Sequence, residues 1–163
     1  MDKYIRLLIS LCIFTLILTG CGGTRLFSPK SLVLISDVSN APLNYSEQSN
    51  ATEISMSVST ANGVGVNFTT YEIEYFYMGN FRITAPGVSK NGPLTKFIPG
   101  YSSSSITIRV VTDELLNFVN GNPETSEDNI SNVRAKIRII GVDENENTIS
   151  AESNIEIFFT NPE

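Results

Sequence analysis

Hydrophobic and polar residues alternate along most of this chain, which is the pattern of a β-strand that buries one face. The alternation is clearest in residues 54–58, 71–77 and 133–139. Shorter runs at residues 104–112 and 153–159 predict further strands, and turn-forming residues separate the runs. The pattern predicts an all-β domain, an antiparallel β-sandwich of about seven strands.

The strand predicted at residues 71–77 has aromatic and aliphatic side chains at its odd positions, which we expect to face the core. Its even positions carry Glu72, Glu74 and Phe76, which we expect to face water. Phe76 and Met78 then form a candidate contact patch on the outside of the sandwich.

One segment has a helical pattern instead. Asp113 is placed to cap a short helix over residues 113–120, with Leu115 and Phe118 on one face and Gly121 at its end. We expect this helix to be an insertion that covers one open end of the sandwich.

The amino terminus has a different organisation. Lys3 and Arg6 precede an apolar run over residues 7–18. The run ends in the tetrapeptide Leu18-Thr19-Gly20-Cys21. This arrangement resembles the signal peptide and lipobox of a bacterial lipoprotein. An uncleaved transmembrane anchor is the main alternative, but residues 5–18 are short against the roughly 20 apolar residues that span a bilayer. An ordinary secretory signal gives no reason for a cysteine at the cleavage site.

The resemblance implies that Cys21 is lipidated with diacylglycerol, that the peptide bond before it is cut, and that the new amino terminus is acylated, commonly with palmitate. Residues 1–20 are then the signal peptide, 21–30 a lipidated tether and 31–160 the β-sandwich domain. The protein is expected to be exported and anchored to a membrane by lipid. Gly22, rather than aspartate, after the cysteine implies the outer membrane if the source has two membranes.

The composition of the chain excludes several kinds of partner and active site. Without Asp2, Lys3 and Arg6 the chain carries 16 acidic and 9 basic residues, a net charge of minus 7, so nucleic acid is not an expected partner. Histidine is absent, which excludes a Ser-His-Asp triad and histidine-based zinc sites. The two cysteines are Cys12 in the signal peptide and the lipidated Cys21, so no disulfide is expected in the mature chain.

Two stretches resemble strands of the fibronectin type III family. Residues 71–75 are similar to the third strand of that family, which alternates aromatic and β-branched residues toward the core. Residues 135–143, followed by a polar turn and Ser153, are similar to its sixth strand and the turn into the seventh. The resemblance implies an immunoglobulin-like or fibronectin type III-like sandwich.

Two groups of oxygen ligands are candidates for chemistry. The turn over residues 143–147 offers carboxylate and amide oxygens of the kind that bind calcium, although turns favour Asp and Asn for their own reasons. Its members are Asp143, Glu144, Asn145, Glu146 and Asn147. Glu72 and Glu74 lie about 7 Å apart on one strand face, within range for carboxylate catalysis, but on an open face rather than in a cleft.

Three functions follow in order of preference. The first is a non-enzymatic, lipid-anchored interaction or structural module that contacts another cell-envelope protein. The second is a module that binds carbohydrate or another small ligand. The third is a carboxylate-dependent envelope hydrolase. No catalytic residue and no cofactor is assigned, apart from the candidate calcium site.

Overall fold

The structure, a computed structural model, describes residues 28–39, 41–46, 51–77, 80–121 and 132–159. These residues form nine β-strands and one short helix, so the domain is mostly β as the alternation predicts. The elements in chain order are β1 (Val33–Ser39), β2 (Leu43–Tyr45), β3 (Glu53–Thr60), β4 (Val66–Tyr77), β5 (Phe81–Arg82), β6 (Lys90–Ile98), β7 (Ser103–Arg109), α1 (Asp113–Gly121), β8 (Asn132–Asp143) and β9 (Thr148–Phe159). The two strands beyond the predicted seven are very short: β2 has three residues and β5 has two.

The strands form two sheets. The smaller sheet has the order β1-β3-β7 and is antiparallel throughout. The larger sheet has the order β2-β9-β8-β4-β5, and β6 pairs with the part of β4 that β5 leaves free. β2 runs parallel to β9, so the larger sheet is mixed. Inward side chains of both sheets belong to one hydrophobic cluster, which makes the two sheets the layers of a single sandwich.

β4 is one long strand with a bulge, although its sequence looks like two separate runs. Val66 and Phe68 are buried at even positions, whereas Ile73 and Tyr75 are buried at odd positions. The pairing with both β6 and β8 shifts register between Phe68 and Thr70. One extra residue there reverses the parity of inward side chains, so the whole strand keeps its apolar face on the core.

The predicted core positions of the other strands are confirmed. On β3, Ile54, Met56 and Val58 are each at most 1% exposed. The apolar residues of β8 predicted to face inward are fully buried: Val133, Ala135, Ile137 and Ile139. Both strands therefore bury one face and present the other to solvent.

Tyr75 is the largest fully buried side chain of the described residues. Its hydroxyl donates to the carbonyl of Val110 at 2.8 Å, which satisfies the polar end of the ring inside the core. Burial raises the pKa of Tyr75 far above its ordinary value, so this hydroxyl remains a donor.

The helix is where the sequence predicts it, with one correction to its cap. Thr112, rather than Asp113, is the N-cap, because its hydroxyl accepts from the Leu115 amide at 3.2 Å and its carbonyl accepts from the Leu116 amide at 3.0 Å. Leu115 is fully buried, and the ring of Phe118 meets that of Tyr77 at 6.1 Å. α1 thus covers the end of the sandwich where β4 finishes. Within the described residues, no helix is long and apolar enough to cross a membrane.

Candidate functional site

The predicted metal-binding turn is built around the buried carboxylate of Asp143, which is 4% exposed. Its Oδ1 accepts from the backbone amides of Asn145 at 2.9 Å and Asn147 at 2.8 Å. The side-chain amide of Asn147 donates to both carboxylate oxygens, at 3.2 and 3.0 Å. Asp143 therefore organises the turn between β8 and β9 from within, as aspartate does in many turns.

The same carboxylate also accepts a hydrogen bond from the first residues of the domain. Oδ2 of Asp143 accepts from the backbone amide of Ser31 at 3.0 Å, and the Ser31 hydroxyl donates to the carbonyl of Val64 at 2.8 Å. Ser31 is 7% exposed, so its amide depends on Asp143 rather than on water.

Two asparagine side chains form hydrogen bonds with the backbone on either side of Ser31. Asn145 donates from its side chain to the carbonyl of Pro29 at 2.9 Å. Asn62 donates to the carbonyl of Lys30 at 2.9 Å and accepts from the amide of Leu32 at 3.1 Å. We call Asn62, Asp143 and Asn145 the N-terminal clamp, because they hold residues 29–32 against one end of the sandwich.

The N-terminal clamp defines the two ends of the domain. The clamp end contains the turns at residues 61–65, 99–102 and 143–147, which lie together because Tyr101 donates its amide to Asn62 and Glu144 donates its amide to Gly65. The distal end contains α1 and the place where the last residue of β4, Tyr77, pairs with the first residue of β5, Phe81. With 12 residues in β4, the two ends are about 35 Å apart.

The electrostatics of Asp143 reflect its partners. Burial alone raises the pKa of this carboxyl, but hydrogen bonds from Ser31, Asn147 and Asn145 outweigh burial and lower the pKa below its usual value. The group is therefore charged when the turn and the N-terminal segment are in place.

This arrangement bears on the calcium prediction. Both oxygens of Asp143 already accept hydrogen bonds inside the protein. Glu144 accepts from the Gly65 amide at 2.9 Å through its Oε2. Within the described ranges, no group of three or more acidic, cysteine or histidine side chains is placed to hold a metal ion. Calcium binding at residues 143–147 stays a prediction, and the clear role of Asp143 here is structural.

Glu72 and Glu74 lie on the outer face of the larger sheet, as predicted, and each meets a cation. Glu74 pairs with Arg82 of β5 at 2.8 Å, and Glu72 lies 3.5 Å from Arg138 of β8. Arg138 also pairs with Glu152 of β9 at 2.6 Å. The register aligns Glu72, Arg138 and Glu152 in one row across the sheet. Glu74 lies opposite Lys136, so charges of opposite sign face each other there too, and we call this face the charge ladder.

Glu152 of β9 contacts two cations of β8, Lys136 and Arg138. It accepts from Lys136 at 2.9 Å as well as from Arg138. These hydrogen bonds lower the pKa of Glu152, and the bond to Glu152 raises the pKa of Arg138. The lowered pKa of Glu152 is the opposite of the raised pKa that a general acid needs.

A polar cleft opens beside this ladder at the gap between β5 and β6. Its volume is about 280 Å³, and Glu72, Glu74, Arg82, Ser89, Lys90 and Asn91 line it together with Ile73. A second hollow of about 320 Å³ lies beside it, lined by residues of the loop from Arg82 to Ser89. Both hollows share Arg82 and Ser89, so this edge of the larger sheet offers a concave polar surface.

The predicted contact patch is described only in part. Phe76 is half-buried on the outer face, and the guanidinium of Arg134 lies 5.2 Å from its ring centre. Arg134 also donates to the side chain of Asn80 at 2.8 Å. Met78 lies outside the described residues, and so do Cys21 and the predicted signal peptide, residues 1–20.

The structure also exposes a set of large hydrophobic side chains that the strand pattern did not single out. In the described part of the chain, six large hydrophobic side chains are at least 43% exposed. Four of them lie at the clamp end: Leu32, Phe97, Tyr101 and Val142. Leu34 lies two residues further along β1, and Phe81 lies at the distal end. The parity of Val142, opposite to that of the buried Ile137 and Ile139, was the signal available in the sequence.

Comparisons with known proteins add little to this picture. No protein-family model matches the chain, and the comparison with curated proteins gives no match. Among solved structures, a structural-genomics target is similar at a TM-score of 0.45 with 9% identity, over 79% of this chain and 83% of that one. A putative late embryogenesis abundant protein is similar at 0.40 with 9% identity, over 95% and 86%. A protein from Archaeoglobus fulgidus is similar at 0.39 with 13% identity, over 82% and 97%. With TM-scores below 0.5, these likenesses assign neither a family nor a function.

Proposed function

We propose that this protein is a lipid-anchored module of the bacterial cell envelope that presents a β-sandwich surface to another envelope protein and does not catalyse a reaction. The anchor rests on the resemblance of residues 18–21 to a lipobox. The N-terminal clamp is the observation that carries the rest of the proposal. It joins the tether directly to one end of a rigid domain, so the anchor and the domain have a defined relative position.

The geometry of attachment favours presentation over free movement. Among the residues that the structure describes, Pro29 already accepts a hydrogen bond from the domain, and it lies only eight residues after Cys21. Eight residues extend at most about 28 Å, and a flexible coil of that length averages about 15 Å. The distal end is then held away from the membrane, where it is accessible to a neighbouring protein.

The strand order supports an immunoglobulin-like or fibronectin type III-like sandwich, a fold class that is widely used for protein contacts. β1, β3 and β7 correspond in order to strands A, B and E, and β4, β8 and β9 correspond to C, F and G. The two stretches that resemble the third and sixth strands of the family, in β4 and β8, are adjacent and paired.

The outer carboxylates support a non-enzymatic role. Glu72 and Glu74 are paired with Arg138 and Arg82 on the outer sheet face, although both also line the polar cleft, where the sequence predicts an open face. A general acid or base must reach the reacting atom of a substrate, whereas each of these carboxylates contacts an arginine of the protein. These glutamates are instead explained as members of the charge ladder, which keeps the outer face of the larger sheet polar and solvated.

The lipid anchor is tested with the full-length protein and a Cys21→Ser variant. A serine cannot form the thioether to diacylglycerol, so we expect the variant to lose incorporation of labelled palmitate and to leave the membrane fraction. Cys12→Ser, in the apolar part of the signal peptide, is the matched control and should keep both properties. Equal lipid labelling of the Cys21→Ser variant and the wild type would refute the anchor.

The partner contact is tested by photocrosslinking in the source bacterium. A photoreactive residue replaces Phe81, which is 66% exposed at the distal end, in the tagged full-length protein. The control places the same residue at Thr107, an exposed position on the smaller sheet. We expect one discrete protein adduct from position 81 that is absent from position 107. An absence of protein adducts from position 81 would count against a distal contact.

The polar cleft favours a second candidate function, the binding of a small polar ligand such as a carbohydrate. Arg82, Lys90 and Asn91 provide donors and Glu74 provides acceptors around about 280 Å³. Calorimetric titration of the protein with oligosaccharides of the cell wall, compared with an Arg82→Ala variant, tests it. Binding that the variant loses would favour this function, and no heat with either protein would eliminate it.

A further inference from the structure

The exposed hydrophobic residues of the domain are concentrated at the end to which the tether is fastened. Tyr101 is 79% exposed and Phe97 is 51% exposed, and both rings lie over the loop between β3 and β4. A Cβ atom built on Gly63 would lie 3.0 Å from the Tyr101 ring, and one built on Gly65 would lie 3.0 Å from the Phe97 ring. The loop is therefore covered by two aromatic rings whose other faces meet solvent.

Two aliphatic residues extend this surface. Val142 is 43% exposed and shares a row of the larger sheet with Phe97, because both are paired with Asn67 of β4. Leu32 is 56% exposed and is itself held by the N-terminal clamp through Asn62. Scattered single hydrophobic residues on a surface are ordinary, but four at one end are not.

We propose that the clamp end, through Tyr101, Phe97, Val142 and Leu32, rests on the lipid surface in which the protein is anchored. This placement depends on the proposed lipid anchor at Cys21. Tyrosine and other aromatic residues favour the interface between lipid headgroups and water, where the ring is partly apolar and the hydroxyl remains hydrated.

The short chain between the lipid and the domain is the reason to assign the membrane, and not another protein, as the surface that the clamp end contacts. Residue 29 can lie at most about 28 Å from Cys21. An upright domain with its distal end on the membrane would put residue 29 about 35 Å away, beyond that reach. The clamp end is the end that the tether keeps beside the lipid, so its apolar side chains meet the bilayer before any other surface.

Intrinsic fluorescence provides the test, because the chain contains no tryptophan. Full-length lipidated Tyr101→Trp protein is reconstituted in phosphatidylcholine vesicles that carry nitroxide-labelled headgroups. Phe81→Trp is the matched control, since residue 81 is also an exposed aromatic position but lies at the distal end. Both substitutions keep an aromatic side chain at an exposed position, so folding should be retained.

We expect the emission of Tyr101→Trp to shift to shorter wavelength and to lose roughly half of its intensity to the quencher, as for a ring at headgroup depth. The emission of Phe81→Trp should be unaffected. Equal quenching of the two, or stronger quenching of Phe81→Trp, would overturn the proposed orientation. So would an absence of quenching in both while the protein floats with the vesicles, although the lipid anchor would then stand. Failure of both proteins to float with vesicles and to carry lipid would overturn the anchor itself and the orientation with it.

Discussion

Asp143→Asn tests the N-terminal clamp most directly, because it replaces one carboxylate oxygen by an NH2 group and preserves the shape of the side chain. The asparagine keeps one carbonyl oxygen for the amides of Asn145 and Asn147 but turns an NH2 group toward the amide of Ser31. The Ser31 amide then faces a donor and, being buried, cannot turn to water.

The magnitude follows from the bonds that are lost. A hydrogen bond to a charged group contributes about 1.5–3 kcal/mol, and a buried unsatisfied donor costs about 1–3 kcal/mol. We therefore expect Asp143→Asn to lower the free energy of unfolding by about 2–3 kcal/mol at pH 7. For a domain of this size that corresponds to a fall in Tm of about 8–12 °C.

The effect should depend on pH in a defined direction. The unfolded pKa of an aspartate is about 4. The folded pKa of Asp143 lies below its unfolded value, so the ionised carboxylate stabilises the fold at pH values above the unfolded pKa. That contribution is lost as the pH falls through the folded pKa. The difference between the wild type and Asp143→Asn should therefore be full at pH 7 and narrow toward about pH 2.

The assay is urea unfolding of both proteins between pH 2 and pH 7, with Glu53→Gln as the control. Glu53 is an exposed carboxylate on β3, so this variant changes the net charge equally without touching the clamp. We expect the control to stay within about 0.5 kcal/mol of the wild type. A difference for Asp143→Asn that is equally large at both ends of the pH range would refute the role assigned to the charged carboxylate.

Three further substitutions test the packing of the sandwich and its helix, each by chemical denaturation. Tyr75→Phe leaves the carbonyl of Val110 without its donor and should cost about 1–2 kcal/mol, with no change if the hydroxyl is dispensable. Gly141→Ala would drive a Cβ into the backbone of β4 beside the bulge and should cost about 1–3 kcal/mol, whereas a neutral result would mean that the strands can separate freely. Thr112→Ala removes the cap that accepts from Leu115 and should cost about 1 kcal/mol, and an equal loss on Asp113→Ala would restore Asp113 as the cap.

The core of the sandwich could be predicted from the sequence because the period of a strand is two residues. Once Tyr75 and Ile137 are assigned inward, every second neighbour follows. The structure buries Ile73 and Ile139, and it packs Tyr71 and Tyr77 against the core with their side chains only partly buried. The bulge in β4 could not be predicted in the same way. Its signal is a change of parity between Phe68 and Ile73, which in the sequence looks like a break between two strands.

The N-terminal clamp was beyond local sequence reasoning for a different reason. Ser31 and Asp143 are 112 positions apart and meet only through the register of several strands. Locally, Asp143 is a residue that turns favour and that calcium also favours. Only the burial of its carboxylate and the direction of its donors separate the structural role from the metal-binding one.

The two proposed surfaces constrain each other. If Tyr101 and Phe97 rest on lipid, a protein partner cannot occupy the same rings, and the contact must lie on a sheet face or at the distal end. The outer face of the larger sheet is a ladder of paired charges, whose desolvation would oppose binding. Phe81, which pairs with Tyr77 across β4 and β5, is then an exposed hydrophobic position at the end away from the membrane. A photoreactive residue at position 97 should accordingly crosslink to lipid and not to protein, and a protein adduct from that position would show that the clamp end is the partner surface.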